Sequence, residues 1–165
     1  MSAIDDILRH NANVERPEPG LSSKAPPRKR LAIVACMDAR ILPERYMGMR
    51  PGDVHLIRNA GGRIAEAIRS LALSQEVLGT QEVMLIHHTD CGLMADSDDG
   101  VRARFAAKGI DASNVDFLTF TDLEASLTED VATYRASPLL RQDIPLRTFI
   151  FDVMTGRLRE VEVAQ

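Results

Sequence analysis

The 165-residue sequence predicts an α/β fold built on a central, mostly parallel sheet. Three observations lead there. LAIVAC (31–36) and VMLIHH (83–88) are apolar almost without interruption, as in strands buried on both faces. Helical stretches separate successive strand-like runs, which makes those strands parallel, with right-handed crossovers. Last, TFIFDV (148–153), a Met154-Thr155-Gly156 turn and the alternating RLREVEV (157–163) read as a hairpin that adds an antiparallel edge strand. Helices flanking the sheet give a three-layer arrangement.

In chain order, residues 2–13 read as a short helix. Ser2 caps it, Asp5 and Asp6 lie in the first turn, and Ile4, Ile7 and Leu8 share one side. Residues 15–30 hold Pro17, Pro19, Pro26 and Pro27 with Gly20, Ser22 and Ser23, so extended, irregular chain is expected. Residues 1–30 are therefore an arm and linker, and 31–165 one domain. An apolar side on an arm needs cover, and packing on a partner subunit is one solution. Arg28, Lys29 and Arg30 read as the solvated start of the first strand.

After 31–36 come a helical turn (41–48), a strand VHLIRN (54–59) introduced by Arg50-Pro51-Gly52-Asp53, and a helix over 63–79. That helix has Ile64, Ala67, Ile68, Leu71, Ala72 and Leu78 on its apolar side and ends at Gly79. The third strand is 83–88. Residues 95–111 turn helical after an acidic start and end at Gly109. The stretch 121–136 reads as a helix capped by Thr121, with Glu124 completing a capping box.

Composition excludes several functions. Apolar residues make up 45% and charged residues 27%, so most of the chain folds. Five Phe, two Tyr and no Trp leave too few platforms for stacking single-stranded bases. A net charge of −4 gives no general basic footprint for nucleic acid. No apolar run is long enough for a membrane span, and the polar start is no secretory signal, so a reducing cytoplasm is expected.

The two cysteines, Cys36 and Cys91, would scarcely pair as a structural disulfide there. Inert buried thiols, a reactive nucleophile and metal ligands remain. Position favours the last. Cys36 ends one predicted strand; His88 ends another, with Cys91 three residues on. Ligands in such sheets bind off the carboxyl ends of central strands. If those two strands are neighbours, Cys36, His88 and Cys91 converge. Two thiolates and an imidazole suit zinc, and three protein ligands with an open fourth position mark a catalytic site. His87 points to the opposite face of its strand, and His55 reads as a satisfied histidine.

Asp38 lies two residues beyond Cys36 and Arg40 two beyond that. By spacing alone they form either a loop salt bridge or a gate, with Asp38 on the metal when closed and on Arg40 when open. Arg58-Asn59-Ala60-Gly61-Gly62 is either a tight strand-to-helix turn or a lining of the metal site. Neither GxGxxG nor a P-loop occurs, and Arg40 follows Cys36 too closely for a phosphate-cradling loop.

In this order and spacing, CMDAR (36–40), GDVHLIRNAGG (52–62) and HHTDCG (87–92) closely resemble the β-class carbonic anhydrases of compact type. The resemblance is dense over residues 30–95. It implies one zinc per chain on Cys36, His88 and Cys91, with Asp38 as exchangeable fourth ligand and Arg40 as its partner. It also implies sheet order 2-1-3-4 with the fifth strand at the edge, and Gly61 and Gly62 beside the substrate. A dimer or tetramer is implied, the N-terminal helix packing across a neighbouring subunit. The activity implied is reversible hydration of carbon dioxide to bicarbonate and a proton by zinc-generated hydroxide. The alternative is a related zinc hydrolase acting on carbonyl sulfide or carbon disulfide.

Overall fold

The computed structural model describes residues 2–12 and 26–163. β1 (Leu31–Cys36), β2 (Val54–Asn59), β3 (Glu82–His88), β4 (Leu146–Asp152) and β5 (Arg157–Val161) form one sheet, ordered β2-β1-β3-β4-β5. The first four strands are parallel, and β5 runs antiparallel to β4. β1 lies between β2 and β3 and is buried from Ala32 to Cys36, which is why its sequence can be apolar throughout. β5 is exposed except at Val161, and its charged residues suit an edge that must not recruit another strand.

Alternation along the strands divides the core in two. On one face Ala32, Val34, Val83 and Leu85 meet α3 (Ile64–Glu76) and α5 (Leu123–Ala136) through Ile64, Leu71, Leu127, Val131 and Tyr134. Leu71 and Leu85 are fully buried, each contributing about 1.5–3 kcal/mol. On the other face Ile33, Ala35, Ile86 and Phe151 pack with Ile41, Phe120 and both cysteines. That face is covered by Met47, Met49 and Met94, near the short α2 (Pro43–Tyr46), and Leu31, Leu56, Met84 and Phe149 stay only half-buried.

α1 (Ala3–Asn11) starts as expected: Ser2 and Asp5 form a reciprocal capping box. No residue of α1 is buried, and Ile4, Ile7 and Leu8 are 61–68% exposed. Most of the proline-rich stretch lies outside the described residues. Arg28 binds the Asp53 carboxylate at 2.7 Å and so braces the start of β1 against the turn before β2.

The cap of α5 is a correction. Asp122, not Thr121, holds the N-cap, with an extended backbone and a carboxylate accepting from the Ala125 amide at 2.7 Å. Thr121 lies one residue outside, and an Asp caps better than a Thr. Glu124, expected to close a capping box, instead pairs with Arg159 of β5 at 2.8 Å. The helix within 95–111 is shorter than expected: α4 spans Asp98–Ala106, capped by Ser97. No helix among the described residues is long and apolar enough to cross a membrane.

Candidate metal centre

β1 and β3 are neighbours, in register from Leu31–Glu82 to Ala35–Ile86. Their carboxyl ends therefore lie side by side, and the ligand atoms of Cys36, His88 and Cys91 all fall within 4.8 Å of one another. All three residues are buried. Among the described residues this is the one group of metal-ligating side chains so arranged.

The tautomer of His88 follows from its partner. Nδ1 lies 3.0 Å from the Thr89 carbonyl, which only accepts, so Nδ1 carries the proton and donates. Nε2 is then a lone pair, buried and without a hydrogen-bond partner among the described residues. Buried polar nitrogens are rarely left so. The sulfurs have a matching deficit. The hydrogen bond from Cys91 holds Cys36 well below the usual thiol range, helped by the amides of Asp38 and Gly61. Cys91 is pushed up, because it donates that hydrogen bond to Cys36 and is buried. Thiols ligate a metal as thiolates, so metal binding would release these protons. An orphaned imidazole nitrogen with two buried thiols is a donor set that fits zinc.

The RNAGG segment earns its glycines by close approach. Gly61 and Gly62 both have left-handed backbones, φ 76° and 75°. A Cβ on Gly62 would lie 2.9 Å from the Cys36 nitrogen and 3.0 Å from the Ile86 carbonyl oxygen. The turn thus lies directly against both ligand-bearing strands. Asn59 closes it, its amide bonding the Arg63 N–H and C=O at 2.8 Å each. Both readings of this motif meet here: it is a tight turn, and the Gly61 amide reaches the Cys36 sulfur.

Asp38 is bound to Arg40 by a two-pronged fork, Nε to Oδ1 at 3.0 Å and Nη2 to Oδ2 at 2.7 Å, and the Arg40 amide adds a bond at 2.8 Å. The guanidinium holds the carboxyl well below the usual carboxylate range, so it is ionised and accepts only. Arg58 Nε reaches the Cys36 carbonyl at 3.0 Å, and its Nη2 bonds the Asp38 carbonyl, which steadies the loop from below. The sequence placed Arg58 in the RNAGG motif without assigning it this bracing role.

Behind the sheet His87 points away from the centre, as expected. It is fully buried, with Nδ1 2.8 Å from Ser126 Oγ and Nε2 3.0 Å from Asp130 Oδ2. Asp130 also accepts from the Ile64 amide at 3.0 Å and lies 3.0 Å from Arg63 Nε. Phe120 stacks on His87 and receives the Arg63 guanidinium at 5.5 Å. This network escaped the sequence reading. Its one signal was an acid at 130 among Leu127, Val131 and Tyr134, within an otherwise apolar helical stripe. His55 is satisfied by Ser74 at 2.7 Å.

Comparison with known proteins points the same way. The carbonic anhydrase family profile matches residues 31–118. A solved carbonic anhydrase from Streptococcus mutans is 40% identical and covers 98% of this chain and 99% of its own, with a TM-score of 0.92. Beta-carbonic anhydrase 1 of Mycobacterium tuberculosis is 37% identical over 98% of this chain and 99% of the relative. A carbon disulfide hydrolase of Saccharolobus solfataricus is 32% identical over 80% of this chain and 77% of its own length. With a sheet of matching order and a buried Cys-His-Cys cluster at its carboxyl edge, the chain belongs to the β-class carbonic anhydrase family.

Proposed function

We propose that the chain catalyses reversible hydration of carbon dioxide to bicarbonate and a proton, with one zinc held by Cys36, His88 and Cys91. The observation that carries this is the unpartnered His88 Nε2 beside two buried sulfurs, with an Arg-held carboxylate two residues beyond the first ligand. Bound zinc supplies the positive charge that lowers the pKa of water from about 15.7 towards neutrality, so hydroxide is available at working pH. Asp38, ionised and acceptor-only, would accept a hydrogen bond from the attacking oxygen and orient it towards the carbon. Arg40 keeps Asp38 in this role; without it the carboxylate would be free to take the fourth zinc position. Leu93 and Met94 pack on the cluster holding both cysteines and offer an apolar wall for an uncharged substrate. Gly61 and Gly62 are assigned to the same lining, since neither projects a side chain there.

Stopped-flow hydration with a pH indicator is the test. Carbon dioxide turnover by the zinc-loaded protein is expected. Turnover of carbonyl sulfide or carbon disulfide with no hydration would overturn this reading in favour of the hydrolase activity named for its relatives.

The assembly is assigned to a homodimer or homotetramer made through α1, with residues 1–30 as arm and linker and 31–165 as the catalytic domain. Support comes from two unmatched apolar surfaces: the side of α1 with Ile4, Ile7 and Leu8, and the half-buried Leu31, Leu56, Met84 and Phe149 on the sheet. Deleting the arm is expected to weaken association in sedimentation; an unchanged oligomer would exclude this role. A reducing cytoplasm suits cysteines that serve as metal ligands, and neither nucleic acid nor membrane is a partner in this account.

A further inference from the structure

Arg40 is held on two edges. Its Nε–Nη2 edge forks onto Asp38. Its Nη1–Nη2 edge lies on Asp90, with Nη1 2.6 Å from Oδ2 and Nη2 2.8 Å from the Asp90 carbonyl. A guanidinium carries five N–H donors in one plane, so both sets of bonds coexist. Asp90 therefore does not draw Arg40 from Asp38; it fixes the rotation of the plane that faces Asp38. Arg40 is 44% exposed, and without the Asp90 carboxylate only the Asp90 carbonyl would hold its outer edge.

Two further observations bear on Asp90. It sits between His88 and Cys91, while Asp38 and Arg40 follow Cys36, so one cation ties together the loops that supply all three sulfur and nitrogen donors. Its backbone is left-handed, φ 54°, where glycine would stand without strain. Asp tolerates this conformation, and unlike glycine it brings a carboxylate to Arg40.

We propose that Asp90 is a positioning residue of the reaction, holding Arg40 so that Asp38 stays off the fourth zinc position. This rests on the carbonic anhydrase reading above. The bland alternative is an exposed ion pair of small effect.

The test uses Asp90→Gly, which suits the backbone, and Asp90→Asn, which keeps a neutral acceptor. Azide is titrated calorimetrically into zinc-loaded protein at fixed pH. An anion enters the fourth position only when Asp38 is off it, so apparent affinity scales with the open fraction. We expect azide binding to Asp90→Gly to weaken about tenfold, with Asp90→Asn between it and wild type. The kcat/KM for carbon dioxide hydration falls in parallel, and zinc content and thermal midpoint hold. Adding Asp38→Ala to Asp90→Gly restores azide affinity, a rescue that a merely structural role would not give. Azide affinity within twofold of wild type in both variants, or a loss that Asp38→Ala leaves in place, would overturn the proposal. Wild-type protein that lacks zinc or hydration activity would instead overturn the reading beneath it, and the proposal with it.

Discussion

His87 and His88 are adjacent on β3, equally buried, and chemically opposite. His87 faces α5, and both its nitrogens have protein partners. His88 faces the two cysteines; one nitrogen is satisfied by a carbonyl and the other by nothing among the described residues. The difference shows what a buried histidine is for. Where every atom is matched, the residue holds the fold together. Where one lone pair is left aimed at two thiols, the protein is waiting for a cation. Strand alternation alone sorts the two roles, because successive side chains leave on opposite faces.

Removing a ligand from the incomplete side should have the largest effect. Cys91→Ala is expected to lose zinc and drop hydration to background while staying folded; a variant that kept its zinc would refute ligation by Cys91. Asp38→Ala comes next. It should keep its zinc and lose about a hundredfold in kcat/KM, the scale of a positioned proton-handling group. Full activity there would reduce the Asp38–Arg40 pair to a loop salt bridge.

The complete side should break differently. Asp130→Ala removes the carboxylate that bonds His87 and the Ile64 amide and lies against Arg63, and should cost about 3–5 kcal/mol in urea unfolding of the zinc-free protein. A loss below about 1 kcal/mol, the scale of an exposed ion pair, would mean that the network is not what anchors β3.

Asp98 gives a smaller effect, remote from both histidines. The Thr119 hydroxyl and the amides of Thr119 and Phe117 hold its carboxyl well below the usual range. A carboxyl lowered by folding stabilises the protein above its unfolded pKa of about 3.9, and that contribution fades as pH falls towards the folded value. Asp98→Asn should therefore be less stable than wild type at neutral pH. The gap should narrow in acid unfolding below about pH 4; a gap independent of pH would exclude the carboxylate as its source.

The two sides also differed in how legible they were. The metal side was written locally: Cys36 at a strand end, His88 and Cys91 three residues apart, and a glycine pair whose crowding against Cys36 the structure made visible. The sheet was similarly plain, since a run as apolar as LAIVAC belongs to a strand covered on both faces over most of its length. His87's network joins β3 to α3 and α5, and no local pattern connects such distant positions. Asp90 was hidden for another reason: its part depends on a left-handed backbone and on which edge of Arg40 it meets. The misplaced cap at Thr121 is a one-residue matter, decided when Glu124 turned to Arg159 instead of its own helix.

Zinc content of His88→Gln against His87→Gln tests the account most directly. Glutamine at 87 can still give a proton to Asp130 and accept one from Ser126, so His87→Gln is expected to retain one zinc per chain. His88→Gln is expected to retain none. Equal zinc in the two variants, whether both full or both empty, would contradict the division of β3 into a structural face and a metal face.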